Sequence, residues 1–116
     1  MSLLELRNLV GNIENINLLR ESGVSALIVN DYFDGKIMKC KFNDKDYYFN
    51  MIKSNEVVDF TLSIFHEMPS YRHMEEVKRE TLLLNDEINK KYVEVLNNIK
   101  ENLKLEKTIF KKHKRI

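Results

Sequence analysis

The stretch YRHMEEVKRETLLLNDEINKKYVEVLNNIKENLKLEKTIF, residues 71–110, decides the fold. It contains no Gly and no Pro. Val77, Thr81, Leu84, Ile88, Tyr92, Val95, Ile99 and Leu103 recur at steps of three or four residues. That spacing keeps one stripe on one side of a helix. Lys, Glu and Asn fill most of the other side. Ser70 is a good N-cap, and Glu75 and Glu76 suit the early turns. A continuous helix here reaches roughly 60 Å. The short globular part before it cannot cover that length. The reading is therefore a helical arm, residues 71–110, whose Leu84, Ile88, Tyr92, Val95, Ile99 and Leu103 form a protein interface, with a dimer as the expected state. A break at Asn85–Asp86 is the alternative, because both side chains compete for backbone hydrogen bonds. A break would fold the second half back and bury the same stripe within one chain.

Outward from the arm, residues 2–20 read as an N-terminal helix. Ser2 and Glu5 make a capping-box pair. Leu6, Leu9, Val10, Ile13, Ile16 and Leu19 line one side. Ser22-Gly23 reads as its end, with Gly23 as a left-handed cap. Val24 to Phe33 then reads as a strand with apolar residues on both faces. Asp34-Gly35 reads as a hairpin turn. Lys36 to Phe42 alternates, with Met38, Cys40 and Phe42 against Lys39 and Lys41. Asn43 to Asp46 is a second turn. Tyr47 to Ile52 is a further strand, with Tyr47, Phe49 and Met51 toward the core and Tyr48 and Asn50 opposite. Glu56 to His66 alternates as a strand, though Ser54 could cap a helix there. Pro69 ends the segment. The expected fold class is α+β: an N-terminal helix, an antiparallel meander of three or four strands, and a long C-terminal helix. The whole chain, 1–116, reads as one domain, with residues 111–116 as a basic tail.

Composition narrows the function classes. The 116 residues are 43% hydrophobic and carry a net charge of +1. Residues 1–76 hold 8 basic and 12 acidic side chains, and residues 77–116 hold 11 and 6. The single cysteine, Cys40, excludes an internal disulfide and fits a reducing, cytoplasmic setting. Neither a signal peptide nor a membrane span is read.

Motifs for chemistry are sparse. His66, Glu67 and His73 could ligate zinc in a small metal-dependent enzyme, but no His stands at residue 70 to complete a His-Glu-x-x-His pattern. Cys40 lies on an apolar strand face and reads as a small hydrophobe. Asp31, Asp34, Asp44 and Asp46 read as turn residues. Gly11, Gly23 and Gly35 are too far apart for a phosphate loop. No cofactor is implied. The leading expectation is a small non-enzymatic protein-binding factor, regulatory or inhibitory, of the kind a phage or other mobile element carries. The alternative is a nucleic-acid-binding accessory protein. It would stack bases on Tyr48 and hold phosphates with Lys104, Lys107, Lys111, Lys112, Lys114 and Arg115.

Overall fold

The computed structural model describes residues 1–11, 21–53, 56–60 and 71–114, with side chains up to Lys104. Among the described residues eight elements follow one another: α1 (Leu3–Gly11), α2 (Ser22–Phe33), β1 (Lys36–Phe42), β2 (Lys45–Ile52), β3 (Glu56–Val58), β4 (Glu75–Val77), α3 (Arg79–Leu83) and α4 (Asp86–Lys114). The four strands form one antiparallel sheet in the order β3-β2-β1-β4. The expected α+β architecture is therefore present: an N-terminal helix, an antiparallel sheet and a long C-terminal helix. The strands are a meander only from β1 to β3. β4 returns to the far edge, beside β1.

α1 begins with the Ser2 half of the capping box, and Glu5 returns to the Ser2 hydroxyl rather than to the Ser2 N–H. The Glu5 N–H donates to Ser2 Oγ at 3.1 Å, and the Ser2 hydroxyl reaches Glu5 Oε1 at 3.2 Å. The expected continuation of this helix over residues 12–20 lies outside the described residues.

The expected strand at Val24–Phe33 is a helix. Every residue from Ser22 to Val29 is buried, so the segment has no polar side to set a period. A short apolar run of this kind fits either a buried strand or a buried helix. Packing decides: α2 lies directly on β1 and β2, and α4 lies on α2. Gly23 is not a cap that ends the first helix. It stands in the first turn of α2, where an added Cβ would come within 3.3 Å of Ile88. Asp34-Gly35 is likewise not a hairpin turn. Asp34 has φ 55° and donates its N–H to Asn30 O at 3.1 Å, and Gly35 has φ 85°. Two successive residues of positive φ serve a helix end as well as a hairpin. Here they join α2 to β1.

The turn at Asn43-Asp44 is a hairpin turn. Both residues have positive φ, 51° and 64°, and Phe42 pairs with Lys45 across them. This is type I′ geometry. Two clusters then cover the two faces of the sheet. Ile37, Ile52 and Val58 join the main core with Leu6, Val10, Leu27, Ile28, Val95 and Ile99. Met38, Cys40, Tyr47 and Phe49 form a second cluster, against which Tyr71 packs. Tyr47 and Phe49 thus face away from the main core, and Tyr48 packs toward it. The reason is that α2, which the sequence reading lacked, occupies the side on which Tyr48 and Asn50 lie. Asn50 is buried there and donates from Nδ2 to Ala26 O at 2.9 Å. Of the expected strand Glu56–His66, Glu56–Val58 is a strand, and residues 61–66 lie outside the described residues.

The arm is not one helix. Residues 71–78 are non-helical and include β4, which pairs with β1 through Ile37–Val77 and Lys39–Glu75. A short α3 follows, and the chain breaks at Leu84-Asn85 before α4. Asn85 caps the new helix by accepting the Ile88 N–H on Oδ1 at 3.1 Å. The break sits where Asn85-Asp86 allowed it. Its consequence corrects the expected seam. Tyr92, Val95 and Ile99 are buried in the chain's own core, with Val95 and Ile99 at 0% exposure. Ile88 and Leu103 pack against the same core, and only Leu84, 82% exposed, faces away. Among the described residues no helix is long and apolar enough to cross a membrane.

Candidate carboxylate-binding cleft

β4 is shorter than its partner. β1 runs to Phe42, but β4 pairs only with Ile37–Lys39. Beyond Glu75 the chain turns off the sheet at His73, whose φ of 56° is left-handed. A regular β-ladder is interrupted at such a residue. The gap left beside the last part of β1 is a cleft of about 370 Å³ lined by Lys39, Cys40, Lys41, Arg72, His73 and Glu75.

Two anchors hold its walls. On one side Lys39 Nζ meets Glu75 Oε1 at 3.1 Å across the β1–β4 pair. The hydrogen bond to Glu75, then its charge, raises the Lys39 pKa. On the other side Tyr71 is tied to the sheet. Its ring lies 4.7 Å from that of Phe49, and its hydroxyl donates to Asp59 Oδ2 at 2.9 Å. Tyr47 donates to the other carboxylate oxygen of Asp59. Burial and the bond to Asp59 both push the Tyr71 hydroxyl upward.

The lining is mostly basic. Lys41 Nζ pairs with Asp46 at 2.7 Å on the exposed surface, and this bond lowers the Asp46 pKa. Surface pairs of this kind are weak and exchange readily. Arg72 and His73 are exposed, and His73 has no ion-pair partner among the described residues. Cys40 is buried, and burial followed by the Asp59 charge raises its pKa. A thiol held protonated is a poor nucleophile. The cleft can hold a carboxylate by charge and hydrogen bonds.

A second polar cluster is built where α2, α3 and α4 meet. Arg79 Nη2 meets Asp31 Oδ1 at 2.5 Å and donates to the Tyr92 hydroxyl at 2.6 Å, while Nη1 reaches Asn30 Oδ1 at 3.0 Å. Its groups satisfy one another and join α2, α3 and α4.

The residues singled out in the sequence are scattered. His73 lines the cleft, but His66 and Glu67 lie outside the described residues. Among the described residues no group of three His, Cys, Asp or Glu could hold a metal ion. Tyr48 is half-buried between Gly23 and the core, and its N–H donates to Ser22 Oγ at 3.2 Å. It does not offer a free ring for bases. Lys104 is exposed on α4. The side chains of Lys107, Lys111, Lys112 and Lys114, and all of Arg115, lie outside the described residues. Arg72, Lys41 and Glu75 do not stand out as a set in the sequence, because the helical spacing of residues 71–110 hides the turn at His73 that gathers them.

The family model described as YunG protein matches residues 14–104. A protein of Bacillus subtilis (strain 168), named uncharacterized protein YunG, is 31% identical over 67 residues. That alignment covers 58% of this chain and 57% of the relative's length. No solved structure matches. The chain belongs to the YunG protein family.

Proposed function

We propose that this member of the YunG family is a non-enzymatic protein-binding factor that takes an acidic partner in the cleft beside β1. One observation supports the reading above others. Lys41, Arg72 and His73 gather around an open cleft into which the chain already places one of its own carboxylates, Glu75. A partner carboxylate would meet the same chemistry. The thiol in the lining is held protonated, which favours binding over turnover. A factor of this kind acts by occupying an acidic segment of its target, which is a regulatory or inhibitory mode. It needs neither metal nor cofactor. The free thiol suits a cytoplasmic setting.

The test is a titration of the whole chain with a fluorescein-labelled Glu-Val-Glu-Val-Glu peptide bearing a free C-terminus. Anisotropy should rise with the acidic peptide at low salt and not with its Lys-Val-Lys-Val-Lys counterpart. Lys41→Ala and Arg72→Ala should each weaken binding, and added salt should weaken it further. Equal binding of both peptides, or no effect of either substitution, would remove the cleft from the proposal.

A further inference from the structure

The hairpin geometry specifies more than an acidic ligand. Phe42 and Lys45 flank a two-residue type I′ turn, so they exchange both of their backbone hydrogen bonds. Bonding alternates along an antiparallel ladder. The N–H and C=O of Lys41 are therefore aimed away from β2, at the opposite edge. Farther along that edge, β4 takes the equivalent groups of Lys39 and Ile37, opposite Glu75 and Val77. At Lys41 no strand of the described residues does so, because the chain has already turned at His73. The cleft is the place where one more stretch of strand fits, in line with β4.

Direction follows from the same geometry. A segment laid antiparallel to β1 enters past Phe42 and runs toward Lys39. There it meets Met74 and His73, which lead into β4. It has to stop. Its last carboxylate then falls beside Arg72 and His73. A parallel segment would instead bring an ammonium group to these cations. Resting on the acidic-partner reading above, we propose that the cleft receives the free C-terminus of an extended protein tail, added antiparallel to β1 in line with β4. Backbone groups of Lys41 hold the tail, Arg72 and His73 hold its terminal carboxylate, and the Lys41 side chain favours an acidic residue on its own face, as Lys39 does with Glu75.

The experiment compares the same labelled pentapeptide with its C-terminal amide, against the whole chain and its Arg72→Ala variant. Arg72 is exposed, so the variant should fold normally. The free acid should bind about tenfold more tightly than the amide, the weight of one charge-assisted hydrogen bond. Arg72→Ala should shrink that difference severalfold, with His73 keeping the remainder, while leaving the amide's affinity nearly unchanged. Equal affinity of acid and amide overturns the tail reading and leaves the acidic cleft standing. An undiminished difference in the variant overturns the role of Arg72. Failure of both peptides to bind overturns the tail and the cleft together.

Discussion

The Tyr92 hydroxyl donates to Asp31 Oδ2 at 2.5 Å, although 61 residues separate the two in sequence. Arg79 completes the triangle, paired with Asp31 and donating to the Tyr92 hydroxyl. Its guanidinium also lies 5.4 Å from the centre of the Tyr92 ring. Three helices meet in this one contact. Tyr92→Phe should keep the ring and remove the hydroxyl. The expected loss is about 1.5 to 3 kcal/mol, since the lost bonds involve charged partners. Urea denaturation of the variant checks it, and an unchanged midpoint would show that the triangle adds nothing to stability.

Alkaline pH should attack the same place. Burial first, and then the bond to Asp31, pushes Tyr92 up to about 12. The unfolded chain ionises its tyrosines near pH 10. A folded value above the unfolded one means stability that is complete below about pH 10 and is lost as pH rises toward about 12. Tyr71, held by Asp59, should behave in the same direction. Ultraviolet tyrosinate titration should show some of the five tyrosines ionising late and together with unfolding. A single early transition for all five, with the helical signal intact, would contradict this.

The burial of Val95 and Ile99 inside one chain makes a sharp statement about α4. Ile99→Ala should cost about 2 to 5 kcal/mol of folding stability. Ile88 and Ile99 changed together to Asp should unfold the chain cooperatively, with no separate dissociation step. Light scattering beside circular dichroism reads both quantities. A folded, smaller species from the double variant would instead place these residues between subunits.

Gly35→Ala should be poorly tolerated. Gly35 has φ 85°, and an added Cβ would stand 2.3 Å from the Met51 carbonyl oxygen. Strain and backbone collision together should exceed about 1 kcal/mol. Thermal melting of this variant beside Gly11→Ala, where the nearest contact is a flexible Arg7 side chain, isolates the effect. Equal melting of the two would argue against a close approach at residue 35.

The thiol of Cys40 should be slow to react in the folded protein. Burial and the neighbouring Asp59 both hold it protonated. Labelling with an aromatic disulfide reagent should be far slower in buffer than in denaturant. Fast native labelling would place the thiol at the surface.

Local chemistry in the sequence was read well where it acts locally. The Ser2–Glu5 box, the Asn43-Asp44 turn, the alternation of β1 and the weak point at Asn85 each depend on neighbours within four residues. α2 was not legible, because Val24–Val29 is buried on all sides and carries no period. That one element displaced two others: Tyr48 changed sides, and the Asp34-Gly35 turn changed partners. β4 was hidden for a different reason. Glu75–Val77 continues the helical spacing of the arm, and only β1, more than thirty residues earlier, makes it a strand. The cleft shared that fate, since its walls come from β1 and from the turn before β4.

Asn50 has a consequence of its own. A helix with one greasy side is turned to a definite angle by water. α2 has no such side over Ser22–Val29, so hydrophobicity would accept it at many rotational phases. The bond from Asn50 Nδ2 to the Ala26 carbonyl and the bond from the Tyr48 N–H to Ser22 Oγ are made at one phase and one axial position. They work as locating pins, one turn of helix apart. Replacement of Asn50 by Leu, which keeps the branch at Cγ and removes the hydrogen-bonding atoms, would leave the helix in the core but unindexed, and the failure would appear as broadened side-chain resonances before it appeared as unfolding.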